Sequence, residues 1–353
     1  MGQFDNILKA DESLFKQEEA LSYEYLPKVI PHREKEQEQI ASAIRPVLTG
    51  RNGRNILIHG PPGVGKTAAV RHLLEELDEN DEFSDKLNLV YINCWEKNTS
   101  FKIIEDICNK IGYAFTQNKN TEQLLEVGSQ ILNKKASVIV FDEIDKTKEQ
   151  DFLYSLITKV SKKTIIMITN YKSWLLDLDE RIKSRVMPEQ LEFKPYNQNE
   201  TKDILEKRKE YAFYDNVWEK DAFEYAAEKC FRMRDMRAGL FLMKESGLEA
   251  EEEASRKIRK KHAEKAVKKL NEFTIKNSEE LDSELKFILK IIKENSGKKI
   301  GDLYKIYKKN AGEYSYKTFQ RKISKLDEGK FITLEKTHAG GNTTIVNKKL
   351  SDF

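Results

Sequence analysis

A chain of 353 residues is longer than one core of ordinary size needs, and it predicts two or three domains. Charged residues make up 34% and hydrophobic ones 39%, the composition of a globular protein with heavily charged helices. No window approaches 18 uninterrupted apolar residues, and Met1 to Phe15 lacks the apolar centre of a signal peptide, so the expectation is a cytoplasmic protein with no membrane partner. The net charge of +3 hides an asymmetry. Residues 281–353 carry 16 Lys/Arg against 9 Asp/Glu, while the remainder carries 46 against 50, which predicts a polyanion partner for the C-terminal segment alone.

The first element with chemistry is Gly60-Pro61-Pro62-Gly63-Val64-Gly65-Lys66-Thr67, set between the apolar run Asn55–His59 and the segment Ala68–Leu74. Strand, glycine-rich loop and helix follow in the order that a P-loop requires. Glycines let the loop Pro62, Gly63, Val64, Gly65, Lys66, Thr67 and Ala68 wrap a phosphate chain with its backbone N–H groups turned inward, and the helix adds the positive end of its dipole. Lys66 would reach the β- and γ-phosphates and the Thr67 hydroxyl would ligate Mg²⁺. The expected ligand is therefore a nucleoside triphosphate with Mg²⁺.

Leu89–Asn93 reads as the next strand. From Trp95 to Phe115, the residues Phe101, Ile104, Ile107, Cys108 and Ile111 fall at helical spacing, so most of them are core positions. Ser137–Phe141 is a continuous β-branched run ending in Asp142-Glu143-Ile144-Asp145, 76 residues beyond Lys66. Such a run suits a parallel strand buried on both faces, and its carboxyl end lies at the crevice where ligands bind. Asp142 is expected to hold Mg²⁺ through water. Glu143 would orient and polarise the attacking water, because phosphoryl transfer depends on positioning and charge neutralisation. Thr164–Thr169 forms a further strand ending at Asn170, whose side chain could bond both the γ-phosphate and the lytic water. With Leu191–Phe193, five strands alternate with helical segments, which predicts a parallel sheet covered on both faces.

From Asn197 to Phe273 the pattern is purely helical. Asn199 or Thr201 is expected to cap one helix, and Asp221 lies near the start of another. Met236, Leu240 and Met243 mark a third, and a fourth is expected over Ala250–Phe273, its triple Glu at the helix start and its lysines further on. That charge run reads as a solvated face. His262 has no second ligand nearby, and no metal site is expected there. Cys94, Cys108 and Cys230 are widely spaced with no C-x-x-C pair, and they read as reduced core thiols of an intracellular protein. Asn277-Ser278-Glu279 is the expected linker.

Beyond it, helices at about Leu281–Glu294, Ile300–Asn310 and Ser315–Asp327 precede strand-like runs Phe331–Thr337 and Thr343–Val346 around Gly340-Gly341. Three helices and a hairpin describe a winged helix. In its third helix Tyr316, Phe319, Ile323 and Leu326 form one buried stripe, and Lys317, Thr318, Arg321 and Lys325 fall opposite it, as in a DNA-recognition helix.

P-loop, Asp-Glu strand end and polar third strand end, in that order and spacing, resemble an AAA+ ATPase. Tyr25-Leu26-Pro27 with Pro31-His32-Arg33-Glu34, Phe193-Lys194-Pro195-Tyr196 with Ile204–Arg208, and Arg234-Asp235-Met236-Arg237-Ala238 are similar to signatures of archaeal replication initiators. Those are the relatives of origin-recognition-complex subunit one and cell-division-cycle protein six. The resemblance runs from about Phe15 to the C-terminus. It implies a tail (1–20), an α/β AAA+ nucleotide-binding core with a five-stranded parallel sheet (21–195), a helical lid (196–275) and a winged-helix domain (280–353).

The resemblance also implies roles. Tyr196 and Arg208 would line the nucleotide pocket, the segment around His32 would pack near the adenine, and Arg237 would reach the γ-phosphate from the lid. Arg181 or Arg185, with Arg185 preferred, would be presented to a neighbouring subunit's nucleotide. The extra helix of initiator-type AAA+ proteins should lie between Trp95 and Phe115. Arg234 stands where the family usually has glycine, which questions the local turn, and the wing tip Lys336–Asn342 lacks the arginines common there. The implied function is a nucleoid-associated initiator and slow ATPase that binds origin double-stranded DNA, itself or paralogues on that DNA, and the replicative helicase. The rivals are a clamp-loader-like subunit and a DNA-binding regulator that holds ATP without significant turnover.

Overall fold

Apolar runs of four to seven residues build the centre of the molecule. In the computed structural model, which describes residues 13–279, 283–310, 312–328, 331–337 and 343–348, four such runs and the largely polar Glu189–Glu192 form one parallel sheet. In chain order the first part runs α1 (Glu34–Leu48), β1 (Ile56–His59), α2 (Lys66–Asp78), β2 (Leu87–Asn93), α3 (Ser100–Lys110), α4 (Thr121–Leu132) and β3 (Ala136–Asp142). It continues through α5 (Asp151–Lys159), β4 (Lys163–Thr169), α6 (Trp174–Asp177), α7 (Glu180–Val186), β5 (Glu189–Glu192) and α8 (Gln198–Ala212).

Side chains alternate across the sheet, and both faces of the central strands β3, β4 and β1 are buried. Leu57, Ile139, Phe141, Ile165 and Met167 pack with α3, α4 and α5 on one face. Ile56, Ile58, Val138, Val140, Ile166 and Ile168 pack with α1 and α2 on the other. Each such side chain contributes roughly 1.5–3 kcal/mol by leaving water. The strand order is β2-β3-β4-β1-β5. β4 thus lies between the P-loop strand and the Asp142 strand, and this puts Asn170 between their functional ends.

Contacts divide the chain into two compact units. Phe15–Asp215 with Arg234–Leu240 form one, and the described parts of Met1–Leu14, Asn216–Met233 and Phe241–Phe353 form the other. The remaining elements are α9 (Lys220–Met233), α10 (Met236–Glu252), α11 (Lys260–Glu279), α12 (Ser283–Glu294), β6 (Lys298–Lys299), α13 (Ile300–Lys309), α14 (Tyr316–Glu328), β7 (Ile332–Thr337) and β8 (Thr343–Lys348).

Several local expectations are corrected. The cap of α8 is Asn197, in a reciprocal box with Glu200, and neither Asn199 nor Thr201 takes that place. The helix expected over 250–273 is two helices: α10 ends at Glu252, α11 starts at Lys260, and Ala254 in between adopts a left-handed φ of 50°. The acidic run therefore closes one helix rather than opening the next. It is offset by lysines of α11, with Lys261 and Lys265 on Glu253, Lys265 and Lys269 on Glu249, and Lys269 on Glu245. Asn277–Glu279 is the end of α11 and not a linker. His262 is fully buried, accepts from the Arg259 N–H and meets Glu253 at 3.2 Å. All three cysteines are buried, and none of them forms a disulfide.

The last elements have the order of a winged helix: three helices, then the antiparallel pair β7–β8, with β6 added to β8. Their core joins Ile288, Ile292, Leu303, Tyr307, Phe319, Ile323, Leu326 and Val346. Gly312 is required there, since a Cβ would stand 2.3 Å from the Tyr307 ring. Tyr316 departs from the expected stripe: it is 39% exposed and meets Tyr304 edge-on. Of the wing tip, residues 338–342 lie outside the described residues.

Candidate nucleotide site and charged helix

The loop after β1 turns back through Gly63 and Gly65, with φ of 75° and 86°. Each must be glycine for space as well as conformation. A Cβ would lie 2.0 Å from a carboxylate oxygen of Asp235 at Gly63, and 2.7 Å from the Tyr196 hydroxyl at Gly65. α2 starts at Lys66, so the free N–H groups of its first turn face the loop's concavity.

Lys66 is 7% exposed, and its Nζ donates to Gly60 O, Pro61 O and Asn170 Oδ1, each at 2.8 Å. Burial pushes its ammonium group down to about 8, with Asp142 opposing the shift. A polyanion entering the loop would favour the charged form. Opposite it, Asp142 is 4% exposed and fully engaged. Oδ2 accepts from Thr67 Oγ1 at 2.7 Å and Tyr91 OH at 2.6 Å, and Oδ1 accepts from the Glu143 N–H at 2.8 Å. Glu143 sits in the left-handed region at φ 53°, and its carboxyl is raised by burial first and then by Asp142 and Asp145. Left-handed backbone in a non-glycine residue and an elevated carboxyl are features that cluster at functional sites.

These groups open on a cavity of about 520 Å³, ample for a nucleotide. Gly63, Val64, Gly65, Lys66, Thr67 and Ala68 line it, as do Asp142, Glu143, Asn170, Tyr196, Arg208 and Arg237. Pro62 does not, and as a proline it has no N–H to offer. Arg208 donates to Ala20 O and Tyr25 O, which anchors the N-terminal wall formed with Leu26, Val29 and Ile30. His32 is not in the lining and pairs instead with Asp203 at 2.7 Å. The turn at Arg234 is kept despite the missing glycine, because the arginine itself adopts φ 53°. Asp235 then accepts from the Arg237 N–H, and the Met236 N–H reaches Gly63 O at 3.2 Å.

Arg33 stands in the Pro31-His32-Arg33-Glu34 signature without an expected role; it is 5% exposed and braces the loop. Its Nε donates to Val64 O and Tyr196 OH at 3.1 Å, one Nη donates to Lys194 O at 2.6 Å, and its plane lies 4.0 Å from the Tyr196 ring centroid. Arg181 and Arg185 both lie on α7, outside the cavity lining. Arg181 folds back onto Asp179 at 3.1 Å, while Arg185 is exposed and lies over the Tyr154 ring at 5.0 Å.

On α14, Lys317, Arg321 and Lys325 are exposed opposite the buried Phe319, Ile323 and Leu326. None of the three makes an ion pair among the described residues. Thr318 is half-buried and its hydroxyl meets Ser315 Oγ at 3.2 Å, a contact that starts the helix.

A P-loop, an acidic second strand end and an asparagine-tipped strand between them, on a sheet of order β2-β3-β4-β1-β5, define the nucleotide-binding unit of an AAA+ ATPase. Residues 49–169 match the AAA domain family, and residues 202–268 match the Cdc6 AAA+ ATPase-type lid domain. The chain is 33% identical to the ORC1-type DNA replication protein 1 of Archaeoglobus fulgidus, over 92% of this chain and 84% of that one. It therefore belongs to the ORC1-type DNA replication proteins, the AAA+ replication initiators.

Among solved structures it is similar to the Aeropyrum pernix ORC1 protein in complex with DNA, with TM-score 0.72, 26% identity and coverage of 97% and 95%. The Aeropyrum pernix ORC2 protein in ADPNP–ADP complexes, at TM-score 0.71, 17% identity and coverage of 96% and 95%, shares the fold. No helix among the described residues is long and apolar enough to cross a membrane.

Proposed function

We propose that this initiator binds ATP with Mg²⁺ in the Lys66 cavity and duplex origin DNA through α14, and that it helps to recruit or load the replicative helicase. The observation that carries the reading is the convergence of Lys66, Thr67, Asp142 and Asn170 through hydrogen bonds of 2.7–2.8 Å at the carboxyl ends of β1, β3 and β4. The donor set fits its ligand: a buried ammonium and loop N–H groups for phosphate, and a hydroxyl beside a carboxylate for a hard divalent cation. Thr67 and Asp142 would hold Mg²⁺, which supplies charge neutralisation on the phosphate oxygens when bound. In this reading residues 21–195 are the core, 196–275 the lid and 280–353 the DNA-binding domain, with 1–20 a tail.

Hydrolysis then needs one water placed in line with the γ-phosphorus. Glu143 polarises that water and accepts its proton as the new P–O bond forms, and the bond to the β-phosphate oxygen breaks to leave ADP. Lys66 stabilises charge on the γ-phosphate oxygens, and Asn170 fixes the distance between them and the water. Tyr196, Arg208 and Arg237 close the cavity around the nucleotide. Arg185 is the better candidate for a neighbouring subunit's nucleotide, because Arg181 is already paired with Asp179. Self-association or pairing with paralogues on DNA follows from that role.

The test is Glu143→Gln. Nucleotide affinity should stay within about twofold of the parent, while turnover should fall by about 10²–10⁴. Turnover at the parental rate would remove Glu143 from the chemistry. No measurable turnover in the parent, with nucleotide tightly held, would favour the regulator that uses ATP only structurally.

A further inference from the structure

Asp142 carries one partner that the P-loop reading does not call for. Tyr91 lies on β2 in register with Val140, two residues before Asp142 on the same face of β3. Its ring therefore reaches forward along the strand, and the hydroxyl donates to Asp142 Oδ2 at 2.6 Å, the oxygen that also accepts from Thr67 at 2.7 Å. Tyr91 lines the cavity, where its hydroxyl could bond water at no cost, yet it is directed at the carboxylate. A tyrosine phenol is an O–H donor near neutral pH, so it donates to the carboxylate.

With the Glu143 N–H on Oδ1 at 2.8 Å, three donors fix both oxygens of one side chain. Groups bonded to a metal ligand in this way orient it, and removing one typically costs 10–100-fold in metal affinity.

We propose that Tyr91 is a positioning residue for Mg²⁺, holding Asp142 in the orientation the cation requires. This rests on the assignment of Thr67 and Asp142 as the Mg²⁺-holding pair. Tyr91 touches neither the phosphates nor the attacking water in this role, so its loss acts on the metal before it acts on the nucleotide.

Tyr91→Phe keeps the ring and its packing and deletes only the donor. The full chain is titrated with MgCl₂ in the presence of a fluorescent ADP analogue, and the analogue's affinity is also measured in EDTA. The expected result is a half-saturating Mg²⁺ concentration about tenfold higher than in the parent, with the EDTA affinity unchanged. In an Asp142→Ala background the same Tyr91→Phe change should produce no further shift, because both acceptor oxygens are gone.

An unchanged or lower half-saturating Mg²⁺ concentration would overturn the proposal, the lower value showing that the phenol competes with the cation. An equal loss of affinity in EDTA would overturn it too, because the effect would then lie in the fold or the nucleotide. If the parent binds the analogue with no dependence on Mg²⁺, or does not bind it, the underlying assignment of the site fails along with the proposal.

Discussion

The nucleotide cavity and the helices that follow the core are both dense in charge, and they use it in opposite ways. In the cavity a few groups converge: Lys66 meets Asn170, and Thr67 and Tyr91 meet on one oxygen of Asp142. In the other unit charges run in rows. The α11 row is spent inside the chain, since Lys261, Lys265 and Lys269 meet glutamates of the preceding helix and turn. The α14 row, Lys317, Arg321 and Lys325, has no ion pair among the described residues. Counting lysines does not distinguish these rows. What distinguishes them is whether a carboxylate stands within reach, and only an uncompensated row can attract a polyanion strongly.

Convergent charges should fail together, and Lys66→Ala tests that most severely. It deletes three hydrogen bonds and the cation facing the phosphates, each charge-assisted bond contributing about 1.5–3 kcal/mol. Nucleotide affinity should fall by about 100-fold or more in a fluorescence titration. A loss under about tenfold would mean that the loop N–H groups alone carry binding.

Rows should fail in proportion. Arg321→Ala with Lys325→Ala should weaken duplex binding and lower the slope of log affinity against log salt by about 0.9 for each lost phosphate contact. Nucleotide affinity should be unchanged. The matching control is Lys261→Ala with Lys265→Ala on α11, which should leave the slope at the parental value. Equal slopes for both pairs would erase the distinction between spent and free cations.

Much of this was legible in the sequence where one local pattern decides the outcome. The runs ending at His59, Asp142 and Thr169 are strands because nothing but burial on both faces suits them, and their ends carry the site. Strand order was not legible: that β4 separates β1 and β3 is a tertiary fact, and it is what brings Asn170 to Lys66. Arg33 and Tyr91 were missed for the same reason, since each acts on a group distant in sequence that no spacing reveals.

The break at 253–259 was missed because it contains neither Gly nor Pro, with Ala254 taking the left-handed turn instead. Asn197 lost to Asn199 and Thr201 as the expected cap because the deciding feature was Glu200 three residues later. The two-residue β6 is too short to leave any pattern.

The smallest effect expected is on stability, and its dependence on pH separates the two rows. Lysine neighbours hold Glu253 down to about 2 and lower Glu249 as well, while Lys265 and Lys269 are raised by the same partners. A carboxylate with a depressed folded value adds stability that is fully present above its unfolded value of about 4.3 and is lost as pH falls towards the folded one. A lysine with a raised value adds stability that is present below about 10.4 and is lost as pH rises through the folded value.

The row on α11 should therefore stabilise between about pH 5 and 10 and fade on both sides. Glu249→Gln with Glu253→Gln should melt a few degrees below the parent at pH 7, because exposed pairs contribute little and Glu249 is the buried member. The gap should close as the pH approaches 3, where the parent's carboxylates begin to take up the protons that the variant never binds. Arg321→Ala with Lys325→Ala has no pair to lose and should follow the parent's melting profile throughout. A gap that stays constant down to pH 3 would show that these glutamates stabilise by packing, and α11 would then be no more self-neutralised than α14.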